Sequence, residues 1–246
     1  MAICSRSLQR VQRSAAALQD ATSGKCIALQ CDVRKPADCL AVVRDTVSQL
    51  GGLDMLINGA AGNFLAAAAS LSANGFKTVF EIDALGTFNM SQAAHAHWTS
   101  LPAPAVGHNP FSIVHISATL QYRGDPLQVH AAAAKAAIDS MARSMAREWG
   151  PDGVRVNCIA PGPIQNTEGM DRLAGWMTPT MEETFLKRMP AGRMGTKCDI
   201  GHAALYLCSD AGCYVTGHVL VVDGGMWMSD ATAVMSSAME GGGAKL

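Results

Sequence analysis

The sequence predicts one α/β domain built on a doubly wound parallel sheet. Three observations lead there. Short apolar runs alternate with longer segments of helical spacing along most of the chain. The 246 residues are enough for a single domain with a large core. The composition, 49% hydrophobic and 16% charged, suits a compact domain rather than a disordered or fibrous chain.

The elements follow in order. Residues 2–4 are a short apolar stub, and residues 8–18 show helical spacing, with Gln9, Arg10, Gln12 and Arg13 on the polar side. Residues 25–31 form a strand. Pro36 suits a first helical turn, so a helix runs from there to about Leu50. Residues 53–58 form the next strand, and a long helix extends from about Ser72 to Trp98. The Pro/Gly-rich residues 101–110 form a surface loop, after which residues 111–117 read as a strand. An Ala- and Met-rich helix over residues 128–149 stops at Gly150-Pro151. Residues 154–160 form a strand. Thr196, with Asp199 three residues on, caps a helix that ends near Ser209. Residues 218–222 are the last strand. The domain thus covers residues 1–228, and residues 229–246, small and polar, form a loose tail.

Several function classes fall away. A net charge of -1 sets up no strong field for nucleic acid or an anionic membrane. No run of 18 apolar residues exists to make a membrane helix. None of the eight cysteines forms a C-x-x-C pair, and most lie in apolar runs, so buried, reduced thiols are expected. No cleavable N-terminal signal is expected.

A set of residues then points to a family. Asp32-Val33 follows an early strand, and Asn58-Gly59-Ala60-Ala61 follows the next. Lys135 lies in the Ala-rich helix. Asn157 precedes Pro161-Gly162-Pro163-Ile164, with Thr167 behind, and Asp223-Gly224-Gly225 closes the last strand. In order and spacing, up to about Trp227, these resemble the short-chain dehydrogenase/reductases, a Rossmann-like family. Residues 58–64 (NGAAGNF), 76–79 (FKTV) and 161–169 (PGPIQNTEG) resemble its 2,4-dienoyl-CoA reductases, the peroxisomal branch in particular.

The departures sharpen the reading. The family's catalytic tyrosine, four residues before the lysine, is Ala131 here. Its serine, thirteen residues earlier, is Ala118, although Ser117 and Thr119 flank it. Its structural asparagine in the long helix is Asp83. His130 and Tyr122 lie nearby, but their spacing to Lys135 does not fit the family pattern, and His130 is read as a residue that packs or that supports the site residues from behind. The family also opens with a strand and a glycine-rich turn that holds the cofactor pyrophosphate at a helix N-terminus. Met1 stands where its second strand begins, so about 30 residues, one strand–helix unit, have no counterpart. A chain lacking that unit is expected to fold poorly and to be inactive, and an incomplete sequence is the simpler explanation.

The resemblance implies NADPH as cofactor. Arg6 and Ser7, after the first strand, face the 2′-phosphate, with Ser5 and Arg10 assisting. Asp32 accepts from the adenine amino group and Val33 packs on the ring. Asn58 and Ala60 line the nicotinamide side, where small residues allow close approach. Lys135 holds the nicotinamide ribose, and Pro161, Gly162, Ile164 and Thr167 complete the cofactor set. Arg34 and Arg172 contact the acyl-CoA phosphates, while Phe64 and Ser72, Ala73 and Asn74 line its acyl or pantetheine path. Residues 166–190 form a mobile lid.

The missing tyrosine fits one chemistry. Reduction of a ketone needs a general acid at the carbonyl oxygen. Hydride addition to C5 of a 2,4-dienoyl thioester instead spreads charge to the thioester oxygen, which needs fixed donors rather than a proton. Protonation at C2 then yields the 3-enoyl product, with a water held by Asp83 as the proton source. Lys135 and Asp83 are therefore the expected catalytic pair. Two rivals remain: another reductase of the family using Tyr122 or His130, and an inactive relic acting as a binding partner. Ala244-Lys245-Leu246 is a variant of the Ser-Lys-Leu peroxisomal address, exposed by Gly241–Gly243, so an import receptor is an expected partner and the peroxisome the expected site. By resemblance, the chain pairs as a homodimer or homotetramer.

Overall fold

The computed structural model describes residues 1–174, 178–187 and 189–229. Its strands are β1 (Ala2–Ser5), β2 (Ile27–Gln30), β3 (Met55–Asn58), β4 (Phe111–Ile116), β5 (Val154–Pro161) and β6 (Val219–Val222). All pair in parallel, with helices between them. The strands do not join into one sheet. Among the described residues β1 pairs only with β2, and the order β3-β4-β5-β6 makes a second sheet, so β1 and β3 each keep one open edge.

Local chemistry explains the helix limits. Ser7 caps α1 (Leu8–Thr22) by accepting from the Arg10 N–H, and Ser23 ends it in the left-handed region at φ 55°. That helix runs a turn beyond its expected end because Ala21 and Thr22 continue it to the cap. Pro36 opens α2 (Pro36–Leu50), and Gly51, at φ 87°, closes it with an N–H bond to the Val47 carbonyl. Thr196 and Asp199 form the expected reciprocal capping box of α9 (Lys197–Cys208).

The long helix of residues 73–98 is interrupted. It consists of α3 (Ala73–Phe80), a π-helical turn at Glu81–Leu85 and α4 (Gly86–Trp98). Gly86 makes the turn possible: a Cβ there would lie 2.4 Å from Val33 Cγ2. A short helix α5 (Leu120–Arg123) precedes α6 (Val129–Trp149). The inner face of α6 buries His130, Ala131, Ala134, Lys135, Ile138, Asp139, Ala142 and Met145, at helical spacing.

Three apolar clusters anchor these elements. The largest packs Ala94, Trp98, Phe111, Ile113, Ile138, Ala142, Val154 and Val156 between α4, α6 and the larger sheet. A second joins α2 and α4 through Cys39, Val42, Val43, Met90 and Ala93. A third packs Val114, Ile159 and Leu207 on the other face. Helices thus cover both faces of the four-stranded sheet.

Several expectations are corrected. Most strands are shorter than the apolar runs suggested, since the residues flanking the ladders have no regular structure. The cysteines are free but not uniformly buried: Cys4, Cys198 and Cys213 are exposed and Cys208 half-buried. Ser229, assigned to the tail, ends the short helix α10 (Met226–Ser229). Within residues 166–190 lie α7 (Glu168–Ala174) and α8 (Pro179–Lys187), while 175–177 and 188 fall outside the described residues, as do 230–246 with the Ala244-Lys245-Leu246 ending. No helix among the described residues is long and apolar enough to cross a membrane.

Candidate active site

Parallel strands carry their C-terminal ends to one edge of a sheet, and loops there are the usual place for ligands in such folds. Arg6 and Ser7 follow β1, and Asp32 and Val33 follow β2. Asn58 ends β3 and Ala60 lies just beyond. Ser117 follows β4, and Pro161 and Gly162 leave β5.

At this edge the chain builds a buried ion pair. Lys135 Nζ lies 3.1 Å from Asp83 Oδ2 and donates to the Ile116 carbonyl at 3.1 Å. The other Asp83 oxygen accepts the Gly62 N–H at 2.7 Å. Asp83 is 1% exposed and Lys135 8%. Three elements converge here: α6, the end of β4 and the π turn, whose wider winding presents Asp83 inward. Burial pushes the Asp83 carboxyl above the usual carboxylate range, and the nearby Lys135 ammonium and Gly62 N–H only partly offset it. Ala131, one turn before Lys135 and 2% exposed, contributes only a methyl group.

A second buried acid was not anticipated. Asp139, one turn after Lys135, accepts from Ser117 Oγ at 2.5 Å, Gln121 Nε2 at 2.8 Å and the Tyr122 hydroxyl at 2.8 Å. Burial, and then the bond to Asp139, pushes the Tyr122 phenol up, so it holds its proton more tightly than a free tyrosine. A signal existed in the sequence: an aspartate four residues after the lysine falls on the same helix face.

Asn58 donates to Ser91 Oγ at 2.9 Å and its amide meets His115 Nδ1 at 3.1 Å. With that nitrogen accepting, the His115 proton sits on Nε2. Burial, then the Lys135 charge, lowers His115 to about 4. Gly59–Phe64 runs past the pair, with three successive contacts. Gly62 binds Asp83, Asn63 Nδ2 donates to Gln128 Oε1 at 2.7 Å, and the Phe64 ring lies against the His130 ring at 4.4 Å.

The remaining expected residues divide. Asp32 and Arg34, assigned to different ligands, hold each other through Nε–Oδ1 and Nη2–Oδ2 contacts of 2.9 and 2.5 Å. The Arg34 guanidinium brings Asp32 down to about 2. Val33 packs against the Gly86 backbone, and its carbonyl accepts from Asn89 Nδ2. Arg6 is exposed, and its carbonyl accepts from Gln30 Nε2. Ser7 and Ser72 act as helix caps, and Ala73 and Asn74 open α3 on the surface. Ala60 is exposed. Pro161 ends β5, and Gly162 seats directly on Asp223, where a Cβ would meet backbone at 2.8 Å. Ile164 bridges to Gly195, and Thr167 bonds the Ile164 carbonyl at 2.8 Å. Arg172 is bound to Glu168, which also binds Arg10, so this arginine stands tied to α1 through one carboxylate.

The comparisons agree with this geometry. The family described as Enoyl-(Acyl carrier protein) reductase matches residues 1–227. The chain is 49% identical over 232 residues to a peroxisomal 2,4-dienoyl-CoA reductase of Danio rerio, covering 94% of this chain and 74% of that protein. It is 48% identical over 228 residues to the enzyme of that name from Rattus norvegicus, covering 92% and 75%. A gluconate 5-dehydrogenase from Burkholderia cenocepacia, solved in complex with NADP and tartrate, superposes with a TM-score of 0.80 at 25% identity, over 92% of this chain and 84% of the other. Fold and relatives agree: the chain belongs to the short-chain dehydrogenase/reductase family, whose members use a nicotinamide cofactor.

Proposed function

We propose that the protein is an NADPH-dependent reductase of 2,4-dienoyl-CoA that forms 3-enoyl-CoA in the peroxisomal oxidation of unsaturated fatty acids. One observation bears most of the weight. The buried Lys135–Asp83 pair is present, while the position of a phenolic acid, Ala131, offers only a methyl group.

The residues suit the cofactor. Two of the three Lys135 N–H groups are engaged, by Ile116 and Asp83, leaving one for a ribose hydroxyl. Arg6, exposed after β1, suits a 2′-phosphate. Bound NADPH supplies the hydride that reaches C5 of the substrate. The Lys135 charge favours electron flow toward the thioester oxygen. Asp83, its carboxyl pushed above the usual range by burial, is the acid nearest that lysine and the source of the proton that reaches C2. Arg34 and Arg172 attract the phosphates of CoA by exchanging their present carboxylate partners, and Phe64 lines the acyl path.

A ketone reductase using Tyr122 is disfavoured by its geometry: that hydroxyl proton is committed to Asp139 and its phenol is a weaker acid than usual. The peroxisomal assignment rests on the curated relatives and on the Ala244-Lys245-Leu246 ending. The test follows NADPH oxidation with a dienoyl-CoA, an enoyl-CoA and a ketoacyl-CoA, in a chain that carries the N-terminal strand–helix unit with the glycine-rich turn. Turnover confined to the dienoyl-CoA is expected; turnover of ketoacyl-CoA with none of dienoyl-CoA rejects the reading.

A further inference from the structure

We propose that His130 is a positioning residue of this reaction: with Asn63 it seats the water that carries a proton from Asp83 to C2 of the substrate. The inference rests on the dienoyl-CoA reading above and deepens it.

His130 is 0% exposed, yet neither ring nitrogen has a hydrogen-bond partner. Asn63 Oδ1, also buried, is likewise unpartnered. Buried polar atoms are nearly always satisfied by protein or by water, so a group of three calls for an occupant. They lie in one place. Residues 62, 63 and 64 touch Asp83, Gln128 and His130 in turn, and Gln128 stands two residues before His130 at the start of α6. The Phe64 ring fixes the tilt of the imidazole from one side. One run of three residues, Gly62–Phe64, thus links the Asp83 carboxyl, the Asn63 amide and the His130 ring.

A neutral imidazole offers one N–H and one lone pair, and Asn63 Oδ1 offers acceptor sites. A water there accepts from the imidazole N–H and from the Asp83 carboxyl, and donates to Asn63 Oδ1 and to C2, so all four of its positions are used. The transfer balances. An O–H bond of Asp83 breaks as one forms on the water, and another O–H bond of that water breaks as the C2–H bond forms. The bonding pair comes from the dienolate C1=C2 bond, restoring the thioester carbonyl. The Asp83 carboxylate left beside Lys135 regains its proton from solvent.

The test uses the full chain and three variants. H130F keeps the contact with Phe64 and removes both nitrogens; H130Q keeps a donor and an acceptor; N63A removes one anchor of the water. With a dienoyl-CoA, H130F is expected to lose about ten- to a hundredfold in kcat, with KM and the NADPH Kd by fluorescence within about threefold. Its Tm should hold, because the ring contact with Phe64 is kept and the lost bond to water is offset by loss of the ring nitrogen left without a partner. The solvent deuterium isotope effect on kcat should increase, and H130Q should recover most of the loss. Wild-type kcat in H130F, or in N63A should H130F not fold, overturns the proposal. So does equal loss in H130F and H130Q together with a fall in Tm. A wild-type protein inert toward dienoyl-CoA overturns the functional reading itself, and the inference falls with it.

Discussion

At the scale of single residues, the Asp83–Lys135 pair is asymmetric. Removing Lys135 takes away the charge that offsets burial, so Asp83 holds a proton more firmly, whereas removing Asp83 leaves an ammonium buried with only the Ile116 carbonyl. Asp83→Ala should therefore lower kcat by about a hundredfold or more, while NADPH titration gives a near-normal Kd. Unchanged turnover would remove Asp83 from the chemistry. Gly162→Ala is a structural counterpart: its new Cβ meets Asp223 Cα at 2.8 Å and the Asp223 carbonyl at 3.1 Å. A loss of about 1–3 kcal/mol is expected from denaturant melts. Both members of the ion pair were legible from the sequence as separate site residues. Their contact was not, because 51 positions of chain lie between 83 and 135 and only the fold joins them. Asp139 stayed hidden for another reason. Its partners Ser117, Gln121 and Tyr122 come from the end of β4 and from α5, an element too short to show a period.

At the scale of elements, β4 carries a titration. His115, fully buried in that strand, stays neutral down to about pH 4, against 6.5 for an unhindered imidazole. Between these values the unfolded chain binds more protons than the folded one, so stability falls as pH falls through 6.5 toward 4. The full effect is about 3 kcal/mol, and above 6.5 the contribution is flat. Urea unfolding at a series of pH values should show that slope, and His115→Gln should remove it. The α9 cap gives a second check: Thr196→Ala breaks the capping box and should cost about 1 kcal/mol. Helices with strong end signals, α2 and α9, were readable because proline, glycine and the Thr196–Asp199 pair act locally. The π turn was not, since one extra residue per turn leaves the apolar spacing of residues 73–98 almost unchanged, and the close seat of Val33 on Gly86 is a long-range contact.

At the scale of the whole molecule, the order of parallel strands and the covering of both sheet faces were legible from alternation alone, and the division into two sheets falls where the family resemblance finds a central strand without counterpart. Deleting Leu246 should abolish peroxisomal import of a fluorescent fusion; persistent punctate signal would refute that assignment. The division has a physical result of its own. On β3, Met55 and Ile57 are each 52% exposed, and among the described residues no strand pairs along the open edge of β3 or of β1, so each presents a row of N–H and C=O groups. Rows of this kind act as templates that capture strands from other molecules. Self-association should thus climb steeply with protein concentration, visible as rising light scattering, and a lysine in place of Ile57 should blunt it. Anyone handling this chain in solution is, in effect, managing two exposed seams.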